Sequence, residues 1–260
     1  MIQAAQPSRS RRRFAAFDVE LATAGERTDG TDGPIAVACA AVLTDDMPRP
    51  VLWYGTAPRR DKPWPHLSHV EVRRLLNYLR ELSGRGYTLV TWNSMGFDWD
   101  LLASESQDRS MCRQLALRHV DMMFHIVCVR GHRLSLSRAA HGMQVAGRNT
   151  QVGGTESLRM WAQGQHLSAL GQLSQDVRIT LDLANKCEQL QELRWESHSG
   201  RPASLKLPQG WLTVEEAREI PPPDVSGLQR PVSRASLTAW MQDNPRRRRA
   251  RRPAPPRIER

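Results

Sequence analysis

The segment Phe14–Leu21 is an apolar run that carries two carboxylates, Asp18 and Glu20, near its end. An apolar run that ends in alternation is typical of a buried strand. Side chains at positions i and i+2 of a strand point to the same side, so Asp18 and Glu20 are predicted to share one face of a sheet. Carboxylate oxygens at fixed positions are the ligands that hard divalent cations require. The segment therefore predicts both a central strand and one half of a metal site.

Two later segments supply one further carboxylate each. Asp98 follows the strand-like run Tyr87–Trp92 and a turn, so it is predicted to open a helix, where an acidic residue is favourable. Asp176 borders the apolar stripe of a long helical pattern and is predicted to face inward over the sheet. Taken singly, Asp98 also fits a helix cap and Asp176 a solvated helix residue. Together with the first pair they give four carboxylates, enough to hold two divalent ions about 4 Å apart around a phosphate diester.

The order and context of these segments resemble the DEDD superfamily of 3′-to-5′ exonucleases, which have a ribonuclease H-like fold. The resemblance covers residues 14 to 193, and its motifs are met by Asp18 and Glu20, by Asp98 in Asn93–Asp98, and by Asp176 in Asp176–Thr180. It implies that these four carboxylates are catalytic and bind two Mg²⁺ or Mn²⁺ ions. It also implies that the substrate is a single-stranded 3′ end of a nucleic acid.

The chain departs from this family at the residue that would orient or deprotonate the attacking water. The family has a Tyr four residues before its last Asp, or a His five before it, and those places are held here by Gln172 and Gly171. Positions i and i+4 share a helix face, so Gln172 is predicted to point where the Tyr would. Its amide can accept a hydrogen bond from a water but cannot take a proton. His166 is a candidate replacement.

Other residues near the motifs suggest how substrate is held. Leu21 and Thr23 follow the first ligand pair, where the family seats the terminal nucleotide. Asn93 lies in the second motif and is assigned to substrate as well. Trp99 is predicted to be an exposed ring that stacks on a terminal base, whereas Phe97 is predicted to lie in the core. For Asp121 a helix cap or a local hydrogen bond is the favoured interpretation, with a metal ligand as the alternative.

The remaining pattern predicts an α/β domain. Residues 35–43 and 51–54 read as strands that form an antiparallel meander with the first, and a helix ending at Gly84 leads into a parallel strand. The sequence thus divides into a basic, disordered tail (1–13), a ribonuclease H-like domain with a mixed sheet flanked by helices (14–194), a hairpin and short helix that form an extension packed on that domain (195–244), and an Arg- and Pro-rich disordered tail (245–260). The extension is predicted to pack against the last long helix, and covering the rim of the site is the alternative.

The net charge of +10 belongs to the tails. Residues 1–13 carry +4 and residues 245–260 carry +7, which leaves −1 for the rest of the chain. Such tails can hold a polyanion through phosphate contacts, or remain solvated without a partner. The longest wholly apolar run, residues 35–43, is too short for a membrane span. Four widely separated cysteines indicate neither a zinc site nor a disulfide framework, and a cytoplasmic location is expected.

These observations predict a metal-dependent 3′-to-5′ exonuclease that hydrolyses phosphodiester bonds by a two-metal mechanism. Activity is expected to be reduced by the replacement at Gln172, because a lost general acid or base lowers a rate by roughly 10²- to 10⁴-fold. Two alternatives stay open: a nucleic-acid-binding protein that keeps the fold and metal site but hydrolyses weakly, and an endonuclease on the same fold.

Overall fold

The computed structural model of the chain describes residues 12–23, 35–55, 66–145, 154–197 and 199–242. Within these ranges the side chains of Thr23, Thr155, Glu156 and Leu158 are not described. The C-terminal basic tail and residues 1–11 of the N-terminal one lie outside the described residues, as do the expectations placed on them. The first strand begins at Arg13, and the Arg12 guanidinium donates a hydrogen bond to the Trp211 carbonyl at 2.6 Å.

A five-stranded mixed sheet forms the centre of the described part, in the order β3-β2-β1-β4-β5. The strands are β1 (Arg13–Thr23), β2 (Ile35–Thr44), β3 (Val51–Tyr54), β4 (Tyr87–Thr91) and β5 (Val120–Asp121). Strands β1, β2 and β3 pair antiparallel, whereas β4 runs parallel to both β1 and β5. The predicted meander followed by a parallel strand is confirmed.

Helices cover both faces of this sheet. They are α1 (His69–Gly84), α2 (Asp98–Ser106), α3 (Arg109–Arg118), α4 (Met122–Arg130), α5 (Leu136–Gly142), α6 (Gly154–Ala162) and α7 (His166–Leu190). Alternate residues of β1 point to opposite sides: Phe14 and Ala16 join the core under α5 to α7, while Ala15 and Phe17 join the core under α1 to α4. None of the helices in the described ranges combines the length and apolarity that a bilayer crossing requires.

Helix α1 has the bounds that its pattern predicts. Ser68 caps its first turn through a reciprocal pair of bonds with Glu71, and five leucine and valine side chains spaced by three or four residues are buried. The helix ends at Gly84 and a two-residue turn follows, so that β4 starts at Tyr87. This short connection places the end of β4 beside β1.

The C-terminal extension packs along the domain. Strands β6 (Glu192–Glu196) and β7 (Pro202–Lys206) form the predicted antiparallel hairpin, and α8 (Val214–Ala217) and α9 (Arg234–Thr238) follow. Thr213 and Glu216 form the predicted capping box of α8. Beyond the hairpin, backbone hydrogen bonds join Val214 to the His119 carbonyl at 2.9 Å and Val232 to the Gly131 carbonyl at 2.8 Å. The extension is therefore fixed to the side of the domain formed by α3, β5 and α4.

Candidate metal centre

The carboxyl ends of β1 and β4 meet at one edge of the sheet. Because the two strands are parallel and Ala16 pairs with Val90, Asp18 lies level with the first residue after β4. The chain then passes through a 3₁₀ turn (Ser94–Gly96) and enters α2 at Asp98, as the sequence predicts. Crevices outside the carboxyl ends of strands are where open α/β sheets bind their ligands.

Three carboxylates converge at this edge from two regular elements. Asp18 and Glu20 occupy alternate positions of β1, on the face that α7 covers. Asp176 lies on the inward face of α7 and is 6% exposed. One ligand oxygen from each of the three lies within 4.8 Å of the others. This spacing allows the three side chains to bind a single cation together.

Asp98 lies outside that group of three but is electrostatically coupled to it. The residue is partly exposed, while its carboxyl group is enclosed by protein. Burial raises the pKa of the Asp98 carboxyl well above its usual range, and the charges of Asp18, Asp121 and Glu20 raise it further. The charges of the Asp18–Glu20 pair thus act on Asp98, and a divalent cation would relieve this repulsion.

Strand β2 adds to the evidence for concentrated negative charge at this point. Cys39 is the partner of Glu20 across the β1–β2 ladder, and it is fully buried. Burial raises the pKa of the Cys39 thiol, and the charges of Glu20 and Asp18 contribute in the same direction. The ladder shifts register between Glu20 and Leu21, which indicates a bulge immediately beside the acidic pair. Bulges next to active sites re-aim side chains.

The turn that carries Asp98 is held from the neighbouring strand β5. The carboxylate of Asp121 accepts hydrogen bonds from the backbone N–H groups of Asn93 at 2.9 Å and Met95 at 2.8 Å. It also accepts from the N–H of Phe124 at 2.9 Å and so caps α4. The predicted role of Asp121 as a cap and local hydrogen-bond acceptor is confirmed.

His119 lies two residues before Asp121 and forms a second buried contact with the same turn. Its Nδ1–H donates to the Ala116 carbonyl at 2.6 Å, which leaves Nε2 as an acceptor. Nε2 is 3.0 Å from the hydroxyl of Ser94 and 3.2 Å from the indole Nε1 of Trp99. Burial lowers the pKa of His119 to about 4, so the ring is neutral near pH 7 and is not a proton shuttle there. This role is not predictable from the sequence, because a histidine before a two-residue strand carries no periodic signal.

The expectation that Trp99 is an exposed stacking platform is wrong. Its indole is 0% exposed and packs edge-on against Phe17 and His119, with ring centroids 5.2 Å away in both cases. Phe97, predicted to lie in the core, is instead partly exposed at the edge of the apolar cluster. Helix α2 starts at Asp98 and its first buried residue is Trp99, whereas Phe97 precedes the helix.

The other predicted site residues occupy varied surroundings. Gln172 is partly exposed, one helical turn before Asp176 on α7. Leu21 is partly buried against the cluster under α1 to α4, and Thr23 is described only as the last residue of β1. Asn93 adopts a left-handed backbone conformation (φ 71°), and its buried Oδ1 has no hydrogen-bond partner among the described residues. These assignments to catalysis and substrate remain predictions.

His166 is poorly placed to replace the missing Tyr or His. It is the first residue of α7, and its ring lies 4.6 Å from that of Trp161. Ten residues of α-helix separate it from Asp176, a rise of about 15 Å along the axis. An imidazole does not span that length, so His166 does not contact the Asp176 carboxylate directly.

The donor set suits a hard divalent ion. Asp18, Glu20 and Asp176 offer only carboxylate oxygens, the ligands preferred by Mg²⁺ and Mn²⁺. Within the described ranges this is the one group of three or more acidic, His or Cys residues whose ligand atoms approach each other closely enough to hold a metal. The residues present therefore fit the metal that the sequence analysis expects.

Comparison with known proteins gives one family match. Residues 62–168 match the model of the RNase_H superfamily, a range that includes Asp98 and covers less than half of the chain. No curated protein sequence matches the chain. Together with the five-stranded mixed sheet and its flanking helices, the match establishes an α/β fold of the ribonuclease H-like class.

Solved structures with partial similarity include a polymerase and a nuclease. The family B DNA polymerase of the hyperthermophilic archaeon Pyrobaculum calidifontis is 22% identical over 70% of this chain and 25% of its own, with a TM-score of 0.48. A product-bound exonuclease I is 16% identical over 69% of this chain and 44% of its own, with a TM-score of 0.30. The chain thus spans less than half the length of either protein, and similarity at this level assigns no activity.

Proposed function

We propose that this chain is a metal-dependent 3′-to-5′ exonuclease that hydrolyses the phosphodiester bonds of nucleic acid with two Mg²⁺ or Mn²⁺ ions. The observation that carries the proposal is the approach of ligand oxygens of Asp18, Glu20 and Asp176 to within 4.8 Å of one another, with Asp98 coupled to the same charges. The ribonuclease H-like fold supports a nuclease. The number of ions and the 3′-end polarity rest on the resemblance of the motifs to DEDD exonucleases.

In this proposal the four carboxylates divide the work of holding the ions. Asp18, Glu20 and Asp176 would bind one ion where their oxygens converge, and Asp98 would complete the centre from the start of α2. Bound ions of this kind activate the attacking water and stabilise the leaving oxygen of a phosphate diester. The protein supplies rigid placement, since Asp18 and Glu20 lie on a central strand and Asp176 lies within a 25-residue helix.

Gln172 lies on the helix face from which the water would be oriented. Its amide oxygen can accept a hydrogen bond from that water, but the amide takes no proton at neutral pH. Turnover is therefore expected to be lower than with a general base, by roughly 10²- to 10⁴-fold. This residue also supports the second candidate function, a nucleic-acid-binding protein that keeps the metal centre and hydrolyses weakly.

The substrate proposed is the 3′ end of a single strand. Leu21 and Thr23 are assigned to its terminal nucleotide, and Asn93 is assigned to substrate as part of the second motif. Trp99 is removed from this set by its burial. The Arg-rich segments 1–13 and 245–260 are proposed to add phosphate contacts that do not depend on sequence.

The decisive experiment compares two labels on one oligonucleotide. Single-stranded DNA and RNA, labelled at either the 5′ or the 3′ end, are incubated with the purified protein and Mn²⁺. An exonuclease of the proposed polarity gives a ladder of shortening products from the 5′ label and releases only mononucleotide from the 3′ label. An endonuclease gives internal fragments from both labels, and absence of cleavage with retained binding supports the second candidate.

Two variants on helix α7 control this experiment. Asp176→Asn removes a proposed ligand and should abolish hydrolysis, as should a chelator. Asp182→Asn makes the same change of charge at an exposed position further along α7 and should leave hydrolysis unchanged. Equal loss in both variants, or full activity in Asp176→Asn, would contradict the proposed site.

A further inference from the structure

The turn between β4 and α2 is an irregular segment that places the acidic side chain of Asp98 beside the acidic pair Asp18 and Glu20. Asn93 has a positive φ of 71°, and the 3₁₀ turn that follows it is only three residues long. Asp98 stands directly after this turn, where like charges on Asp18 and Glu20 act on it. Repulsion of that kind tends to move the more weakly held partner. The backbone hydrogen bonds of the turn, from Gly96 N–H to the Asn93 carbonyl at 3.2 Å and from Phe97 N–H to the Ser94 carbonyl at 3.3 Å, are internal and do not join it to the sheet.

Asp121 supplies contacts to the turn from the adjacent strand. One carboxylate oxygen accepts from the N–H of Asn93 and from the N–H of Phe124, and the other accepts from the N–H of Met95. The Asn93 and Met95 bonds hold the residue before the 3₁₀ turn and the middle residue of the turn, and the Phe124 bond ties the same carboxylate to the start of α4. Hydrogen bonds to a buried carboxylate are stronger than those between neutral groups. The first half of the turn is thereby fixed to β5.

The charge on Asp121 makes this arrangement more than a helix cap. A neutral serine or asparagine also caps a helix well, and neither would add negative charge beside Asp98. Asp108 is an example of a residue that only caps a helix. Its side chain accepts one hydrogen bond, from the Met111 N–H at 3.0 Å, at the start of α3. Asp121 instead makes two additional bonds, and both go to the turn that precedes Asp98.

We infer that Asp121 is a positioning residue for the metal centre, acting through the turn Asn93–Asp98 to hold the Asp98 carboxylate at the ions. The inference rests on the proposed function, since it requires that Asp98 bind a metal. His119, directly before β5, assists because its Nε2 faces the Ser94 hydroxyl and the Trp99 indole, on residues that flank Asp98 in the sequence. The Asp98 carboxylate is therefore positioned by β5, a strand to which no metal ligand is assigned.

The test is Mn²⁺ binding to the full chain, measured directly by the electron paramagnetic resonance signal of free Mn²⁺ and needing no catalytic activity. Asp121→Asn keeps the size of the side chain but places an NH₂ group where an acceptor is needed. We expect it to weaken Mn²⁺ binding by roughly 10- to 100-fold, the range typical of residues that orient a metal ligand. Asp108→Asn, the matched cap variant, should bind Mn²⁺ as the wild type does.

A double-variant cycle identifies the path of the effect. If Asp121 acts through Asp98, then Asp121→Asn should weaken Mn²⁺ binding in the wild type but cause no further loss in a protein that already carries Asp98→Asn. A second loss of equal size in that background would overturn the inference. So would an Asp121→Asn protein whose Mn²⁺ affinity matches that of Asp108→Asn. Absence of Mn²⁺ binding in the wild type would instead contradict the proposed function.

Asp121→Ser covers the case in which the asparagine variant does not fold. A serine hydroxyl can still cap α4 through the Phe124 N–H but is too short to reach both Asn93 and Met95. It is expected to fold and to weaken Mn²⁺ binding as Asp121→Asn does. Wild-type affinity in a folded Asp121→Ser protein would show that the bonds to the turn do not position Asp98.

Discussion

The four carboxylates of the candidate centre are held in two different ways. Asp18, Glu20 and Asp176 project from a central strand and a long helix, and their oxygens converge within 4.8 Å. Asp98 projects from the end of an irregular turn whose backbone is fixed by a buried carboxylate on β5. The first three inherit their positions from regular hydrogen bonding, whereas the fourth depends on contacts between residues more than twenty positions apart.

This difference teaches where the site is robust and where it can be adjusted. A strand or helix residue moves only if the element moves; β1 lies against the core on both faces, and α7 packs its inward face against the core. The turn can shift by itself once its few hydrogen bonds are lost. Changes around β5 should therefore affect Asp98 alone, while changes to β1 or α7 should affect the whole centre.

The largest effect on stability is expected from Trp99→Ala. The indole is fully buried between Phe17 and His119 directly after Asp98, and truncating such a residue costs about 3–5 kcal/mol of unfolding free energy. Urea denaturation measures the loss. Phe97→Ala is the matched control, because that ring is partly exposed and should cost less. Equal losses in the two variants would place Trp99 outside the core.

The buried network under the turn should also make stability depend on pH. The pKa of His119 is lowered to about 4, from an ordinary value of 6.5, so between these values the unfolded chain binds a proton that the folded protein does not. The stability contributed by the neutral ring is present above pH 6.5 and is lost as the pH falls towards 4. Relative to His119→Gln, the wild type should lose about 3 kcal/mol of unfolding free energy over this range.

The measurement is a series of urea denaturation curves for both proteins at several pH values. Their difference isolates His119, because the other titrating groups are common to the two chains. A difference that stays constant from pH 7 to pH 4 would mean that His119 is protonated at the same pH in the folded and unfolded states.

A smaller change is expected from Asp98→Asn in metal-free buffer. Burial and neighbouring charges raise the pKa of the Asp98 carboxyl, so its ionised form destabilises the fold, and the neutral amide should stabilise it. The folded protein holds this proton more tightly than the unfolded chain does, so wild-type stability recovers as the pH falls through the raised pKa. The advantage of the variant should therefore be greatest near pH 8 and shrink towards lower pH.

Asp100→Asn is the control for that comparison. Asp100 lies in the same first turn of α2, but its carboxylate is 3.6 Å from the Arg109 guanidinium. Removing this charge should give no gain in stability. A gain at Asp100 equal to that at Asp98 would indicate general charge repulsion in the helix and not a concentrated acidic site.

The smallest effect is expected at Gln172. Gln172→Tyr places a phenol one helical turn before Asp176 and should raise turnover modestly, since a group added without supporting contacts is poorly oriented. Gln172→Ala should lower whatever turnover exists, while Mn²⁺ binding stays unchanged. Gln189→Tyr, at the exposed far end of α7, should neither raise nor lower turnover. Full activity in Gln172→Ala would place this residue away from the attacking water.

The contrast between the two kinds of carboxylate also explains what could be predicted from the sequence. Asp18, Glu20 and Asp176 lie in periodic patterns. The period of two residues in a strand, or of 3.6 in a helix, indicates which face a side chain occupies. The order of strands and the start of α2 at Asp98 followed from the same patterns and from turn residues. These are local signals, and they place the three carboxylates on their elements as observed.

The features that were wrongly predicted or missed depend on contacts between residues distant in sequence. Trp99 is buried because its indole packs against Phe17 of β1 and against His119, and no local pattern indicates those contacts. The neutral state of His119 and its contacts with Ser94 and Trp99 depend on where β5 pairs with β4. No spacing rule contains that information.

The most direct test of the metal centre is the melting temperature of the wild type and of Asp18→Asn, each with and without millimolar Mg²⁺ or Mn²⁺. A cation bound only by the folded protein stabilises it by about 2.7 kcal/mol at one hundred times its dissociation constant, so the wild type should melt at a clearly higher temperature with metal. Asp18→Asn should melt higher than the wild type without metal, because one repelling charge is gone, and should gain little when metal is added. No shift of the wild type with either metal, or an equal shift in both proteins, would contradict a divalent-ion site at Asp18, Glu20, Asp98 and Asp176.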